Sequence, residues 1–241
     1  MKPIRFDIKN FLIALLLLLF IIKIPRENIY FVFWMLYGIL LCCSFDLLIQ
    51  KFFLKRKLTI KSAIITGFIV SGIIDYNQPW YILLIFSLIA IISKHLIKYK
   101  NKHIFNPANF GLFCASLFGV PLTWNIESNI YLIILAGLYI IYRLKKIAHL
   151  ISFVSVFSLL SLVWFQINPL NLINWFFVFV MLIEPKTSGA GLVKGIILGS
   201  VSAGVGMILF KIFPQIDIFV CGLVFANLAI FLQSLLSQAK T

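Results

Sequence analysis

Apolar runs separated by short polar breaks recur from one end of the sequence to the other. A chain written this way has far more greasy surface than a small aqueous core could hide. In lipid its backbone N–H and C=O groups must be satisfied internally, so helices are the expected element. Charged residues are only 12% of the 241, and the mean hydropathy of +1.08 points to one polytopic membrane domain without a separate soluble domain. The first apolar run, Phe11 to Ile24, has Lys23, Pro25 and Arg26 where a small-residue cleavage site would fall. It reads as an uncleaved span.

Matching apolar runs to polar breaks predicts ten spans: 10–25, 29–49, 62–74, 79–98, 107–120, 129–143, 147–165, 171–183, 190–211 and 216–236. Of the 21 Lys and Arg, all but Lys23, Arg26 and Lys211 then fall on the side of the N-terminus. The positive-inside rule makes that side cytoplasmic, with both termini inside, in a bacterial-type inner membrane. A net charge of +14 dispersed through such loops is a membrane signature and excludes a nucleic-acid partner. The lipid bilayer is the partner this charge serves. Loop 51–61 reads as an anchor to lipid headgroups.

Two runs at matching positions are too short to cross; the fifth, 107–120, is short as well, while its counterpart, the tenth, is not. The third, Ser62 to Ile74, reaches only about 20 Å as a helix, and the eighth, Asn171 to Ile183, is no longer. Third and eighth are matching members of two five-span halves. Halves with an odd number of spans have opposite orientations, which predicts an inverted repeat split near residue 125. Paired short segments in such a repeat point to a site near the bilayer midplane.

Polar residues concentrate in two loops on the predicted cytoplasmic side. One is Ser93-Lys94-His95 through a basic stretch to Phe105-Asn106-Pro107-Ala108-Asn109; the other is Glu184-Pro185-Lys186-Thr187-Ser188-Gly189. Asn106 before Pro107 is a standard helix start, and Thr187 or Ser188 could cap the ninth helix. The same residues suit ligand binding: a helix N-terminus with free N–H groups attracts anions, and Asn106 and Asn109 offer amides to a polar ring edge. Lys94 and Lys186 would supply positive charge for a phosphate. Candidate binding residues are therefore Lys94, Asn106, Asn109, Lys186, Thr187 and Ser188.

Asp46 is the deepest carboxylate; it is either functional or paired with a loop lysine. His95, His103 and His149 lack metal-ligand spacing, and Cys42, Cys43, Cys114 and Cys221 read as small buried residues. There is no Walker motif and no nucleophile–base pair in the sequence, which removes support for an ATPase or hydrolase.

The combination of a glycine-bearing short span at Ile65–Ile74, the Pro79-Trp80 turn, Ser93-Lys94-His95, Phe105-Asn106-Pro107-Ala108 and Glu184-Pro185-Lys186-Thr187-Ser188 resembles a known family. It is similar to the membrane subunits RnfD and NqrB, of the Rnf electron-transport complex and the Na+-translocating NADH:quinone oxidoreductase. The resemblance implies an all-α fold of two inverted five-helix repeats, as in urea transporters. It also implies electron transfer through flavins coupled to Na+ or H+ movement, with other subunits of a redox complex as partners. Those subunits carry FMN on the Thr of a Ser-Gly-Ala-Thr motif. Here Ser188-Gly189-Ala190 is followed by Gly191, so the expected cofactor is non-covalent FMN or riboflavin. A transporter or channel for a flavin or urea-like amide, without redox chemistry, is the competing expectation.

Overall fold

The structure is a computed structural model that describes residues 7–55, 58–100, 102–185, 187–189 and 191–238. Helices dominate it: α1 (Ile8–Lys23), α2 (Ile29–Leu48), α3 (Lys61–Ile73), α4 (Trp80–Leu96), α5 (Pro107–Leu117), α6 (Ile130–Leu144), α7 (Ile147–Leu160), the single-turn α8 (Pro169–Leu172), α9 (Leu192–Ile212) and α10 (Ile218–Gln238). Five helical stretches are long and apolar enough to cross a bilayer: Ile8–Arg26, Ile29–Leu54, Ile147–Phe165, Leu192–Ile212 and Ile218–Ser237. This is an all-α membrane protein, and its outward-facing Leu, Ile and Phe side chains are a surface for lipid.

Local sequence explains where the helices begin. Asn28, Asn106 and Asn129 each stand one residue before a helix, and their side-chain oxygens accept from the N–H of Phe31, Asn109 and Leu132. Asp217 does the same for α10, accepting from Phe219 and Val220. Each bond satisfies an N–H that has no partner in the first helical turn, worth about 1 kcal/mol. α6 ends at Lys145, which turns left-handed at φ +54° and closes the helix with its own N–H.

The short third and eighth runs take different forms. α3 stops at Ile73, and Ile74 continues as extended chain paired with Leu122. The freed carbonyls of Gly72 and Ile73 accept from Ile126 and Thr123, so loop 121–128 closes the end of the helix. The eighth run is interrupted outright. α8 gives way to extended backbone at Ile173, Asn174 caps a restart by accepting from Phe177, and Phe177–Met181 is a π-helix. Glu127 accepts from the Trp175 N–H at the same break. Burial raises the Glu127 carboxyl above its usual range, and those backbone bonds oppose the shift. Loop 121–128 thus serves both short segments at one end of the bundle.

Packing is orderly around these segments. α1 lies on α3, and α6 lies on the π-helix at Phe177–Met181. α4 packs between α2 and α5, while α9 packs between α7 and α10. Close approach is set by small residues: a Cβ on Gly199 would meet the Ser152 Oγ and the α7 backbone, and one on Gly222 would meet the Ser202 carbonyl. Backbone-to-backbone contact of this kind is the main attraction between helices where lipid removes the hydrophobic drive.

Candidate functional site

The basic stretch after α4 is a two-stranded hairpin: β1 (Lys98–Tyr99) pairs antiparallel with β2 (Lys102–His103). Its turn begins at Lys100, left-handed at φ +46°. A tight hairpin holds its side chains where an open loop would let them wander. The hairpin faces the second polar loop across a cavity of about 710 Å³, within the range of about 300–1,000 Å³ usual for small-molecule sites. Tyr99, Lys100, Lys102, His103 and Ile104 line one side, and Pro185, Thr187, Gly189 and Lys194 another. α10 supplies the third wall with Asn227, Ile230, Phe231, Ser234 and Ser237. The rings of Tyr99 and Phe231 meet edge-on, 5.4 Å apart.

Asn227 is the most informative of these residues. It is 1% exposed, stands midway along α10, and among the described residues neither its Nδ2 nor its Oδ1 has a hydrogen-bond partner. Leaving both atoms of a buried amide unsatisfied costs on the order of 1–3 kcal/mol for each, so a ligand able to accept and donate there recovers that energy. Three cations line the cavity: Lys100, Lys102 and Lys194. Together these features suit a molecule with an anionic group and a ring edge bearing donors and acceptors.

The candidate residues from sequence divide into three groups. Thr187 lines the cavity and donates from Oγ1 to Glu184 Oε2 at 2.9 Å. Ser188, one residue on, turns the other way: it is buried, donates to the Glu184 carbonyl at 2.6 Å, and accepts from Lys146 Nζ at 2.9 Å. Neither residue caps α9; the residue before that helix is Gly191, with no side-chain cap. Asn106 and Asn109 lie outside the cavity. Asn106 caps α5, and Asn109 donates to the Val220 carbonyl at 3.0 Å, tying α5 to α10. Lys186 lies outside the described residues.

Lys94 is occupied elsewhere. Its ammonium lies 2.7 Å from Asp46 Oδ2, and His95 Nε2 lies 2.6 Å from Oδ1 of the same carboxylate. Gln50 donates to Asp46 at 2.8 Å and is itself held by the Thr59 backbone through bonds of 2.9 Å in each direction. Asp46 is fully buried and paired, with Lys94 as its lysine partner. Lys94 and His95 therefore join α4 to α2, Ser93 bonds back to Ala90 on its own helix, and none of the three lines the cavity.

Two features escaped the sequence reading. Asn227 could have been found, because a lone amide in the middle of an apolar run must be satisfied by something. The cluster of Lys146, His149 and Ser188 joins residues far apart in the chain and leaves no local trace. Among the described residues there is no group of His, Cys, Asp and Glu able to hold a metal ion.

A second cavity, of about 460 Å³, opens at the other end of α10. Thr123, Asn125, Glu127, Asn171 and Asn174 give it a polar rim, with Trp124 and Phe219 at its wall. Those two rings belong to a cluster with Phe153, Phe157 and Phe177, with centroids 5.1–6.3 Å apart. No family model matches the chain, and no curated protein does.

Proposed function

We propose that this protein is an integral membrane subunit of a flavin-dependent electron-transport system coupled to Na+ or H+ movement, similar to RnfD and NqrB. The observation that carries the reading is the cavity between the basic hairpin and the second polar loop, with Asn227 at one wall and Lys100, Lys102 and Lys194 at the others. FMN fits that donor set. Asn227 would meet the amide-like edge of the ring, and the lysines and the first turn of α9 would hold the phosphate. Flavin, when bound, supplies the one- and two-electron chemistry; the protein supplies orientation and charge. Thr187, Lys102 and Lys194 then act as binding residues, while Lys94, Asn106 and Asn109 act through the fold that positions them.

The flavin is held without a covalent bond. Gly191 occupies the position of the acceptor threonine and adopts φ +99°, a conformation that a β-branched residue would take only under strain. The full architecture in this reading is ten spans with both termini cytoplasmic, in two inverted halves. It is supported by the matched packing: α1 on α3 parallels α6 on the broken eighth segment, and α4 between α2 and α5 parallels α9 between α7 and α10. Electron donors and acceptors would be other subunits docked on the cytoplasmic face.

A second reading, a transporter for a flavin or urea-like amide, is favoured by the cavities at opposite ends of α10 and the aromatic cluster beside the second. Purification separates the two. The redox reading expects visible absorption near about 450 nm in the purified protein, released on denaturation without an SDS-stable fluorescent band. The transporter reading expects solute uptake into proteoliposomes with no electron donor present. Reporter fusions at Asn77, Glu127 and Asn168 should report outside, and those at Lys57, Lys100 and Lys146 inside.

A further inference from the structure

We propose that Lys146 takes up a proton when an anionic ligand binds beside Lys194, so that filling the cavity is coupled to protonation of a group buried behind it. The proposal rests on the reading of the cavity as a site for a phosphate-bearing molecule.

Lys146 is 4% exposed and sits in the tight link between α6 and α7. The groups facing it are His149 on α7, Ser188 and the Glu184 carbonyl behind it in the loop, and Lys194 on α9. Among the described residues its own bonds go to the Ser188 hydroxyl and the His149 ring, and none goes to a carboxylate. His149 offers little to an ammonium. Its Nε2 lies 2.9 Å from the Ser188 carbonyl, and a nitrogen that donates there cannot also accept from Lys146 at 3.4 Å. The charged form of Lys146 therefore has one good acceptor for three hydrogens. Burial, with Lys194 adding like-charge repulsion, lowers its pKa to about 8.

The cluster is joined directly to the cavity. Ser188, held by Lys146, lies between Thr187 and Gly189, both of which line it. Lys194 lines it as well, and its side chain packs against Gly189. The next residue, Gly195, presses on the His149 ring closely enough that a Cβ there would lie 2.7 Å from Nδ1. An anion beside Lys194 cancels the repulsion felt by Lys146 and adds attraction, so the neutral amine takes a proton from water. Reciprocity then requires the protonated protein to bind the anion more tightly. The sign is fixed: anion affinity is highest below the pKa of the free protein and falls as pH rises through it.

Calorimetric titration of FMN into the full-length protein in detergent tests this at about pH 8.5, in two buffers of different ionisation enthalpy. The expected result is net uptake of a fraction of a proton with FMN, and none with riboflavin, which has the ring but no phosphate. FMN affinity should fall about three- to tenfold between about pH 7 and pH 9.5, the range that one unit of linked pKa shift allows. Lys146→Arg, always charged, should keep the affinity flat at its low-pH level; Lys146→Met should keep it flat at the high-pH level. FMN binding with no uptake and no pH dependence overturns the coupling and leaves the cavity reading standing. Uptake that persists in Lys146→Met also overturns it, by placing the proton elsewhere. Failure of the folded protein to bind FMN at any pH overturns both.

Discussion

Two buried lysines in this membrane protein have opposite surroundings. Lys94 touches a fully buried carboxylate at 2.7 Å, and that carboxylate is also bonded by His95 and Gln50. Lys146 is about as buried, but its side-chain hydrogen bonds among the described residues go to a serine hydroxyl and a histidine ring. The comparison separates a charge that fastens helices from a charge that is held loosely. A cation satisfied by a buried anion has no reason to change its protonation or meet a ligand. A cation without one responds to anything negative that arrives nearby.

The largest expected effect comes from breaking the satisfied pair. Asp46→Asn strands Lys94 among apolar helices and should cost about 3–5 kcal/mol, seen as loss of folded protein or a large drop in Tm. The double variant Asp46→Asn, Lys94→Met should recover most of that loss, because removing both partners of a buried pair is often close to neutral. If the double variant is as unstable as the single, the pair is not the fastening that the geometry indicates.

Next in size is the effect of Lys146 itself on stability. Its folded pKa of about 8 lies below the usual lysine value of 10.5, so the unfolded chain binds more protons between those limits. Stability should therefore rise as pH climbs from 8 towards 10.5, by at most about 3 kcal/mol, and Lys146→Met should abolish the rise. Thermal unfolding across that window checks the sign; a fall in stability that depends on Lys146 would contradict it.

Asn227→Leu should leave stability unchanged or slightly raised, since it removes two unsatisfied polar atoms from a buried position. Its FMN affinity should drop about tenfold, equivalent to one good hydrogen bond of about 1.4 kcal/mol. Equal loss of stability and binding would mark Asn227 as a structural residue instead. The smallest effect belongs to the exposed pair of Asp7 and Lys61, 2.7 Å apart. Lys61 holds the Asp7 carboxyl below its usual pKa, yet Asp7→Asn should leave Tm unchanged within error, because solvent screens such pairs.

The parts legible in the sequence are those written locally. Helix starts at Asn28, Asn106 and Asn129 each need one residue and its successors; the cap at Asn106 was expected, and the one expected at Thr187 or Ser188 is absent. The short eighth run was visible as a length, but not its interruption at Ile173 or its π-helical restart, which depend on Glu127 from a distant loop. The site expected between the short third and eighth runs is not where the cavity lies: its wall comes from the hairpin, the second polar loop, Lys194 and α10, and of the expected residues only Thr187 lines it. Lys94 looked like a ligand cation because its partner Asp46 is 48 positions away, and Thr187 and Ser188 looked equivalent until the backbone turned one towards the cavity and the other towards Lys146. The π-helices at Ile49–Leu54 and Ser161–Phe165 left no pattern in composition.

The proposed site for a phosphate-bearing ring lies between the hairpin, the second polar loop and α10. Equilibrium binding of FMN against riboflavin, in the parent protein and in Lys102→Gln, Lys194→Gln, tests it most directly. FMN should bind at least about tenfold more tightly than riboflavin, as loss of one charge-assisted contact requires, and the double variant should remove this preference while still binding the ring. Equal affinity for the two ligands in the parent protein, or a preference that survives the double variant, would contradict it.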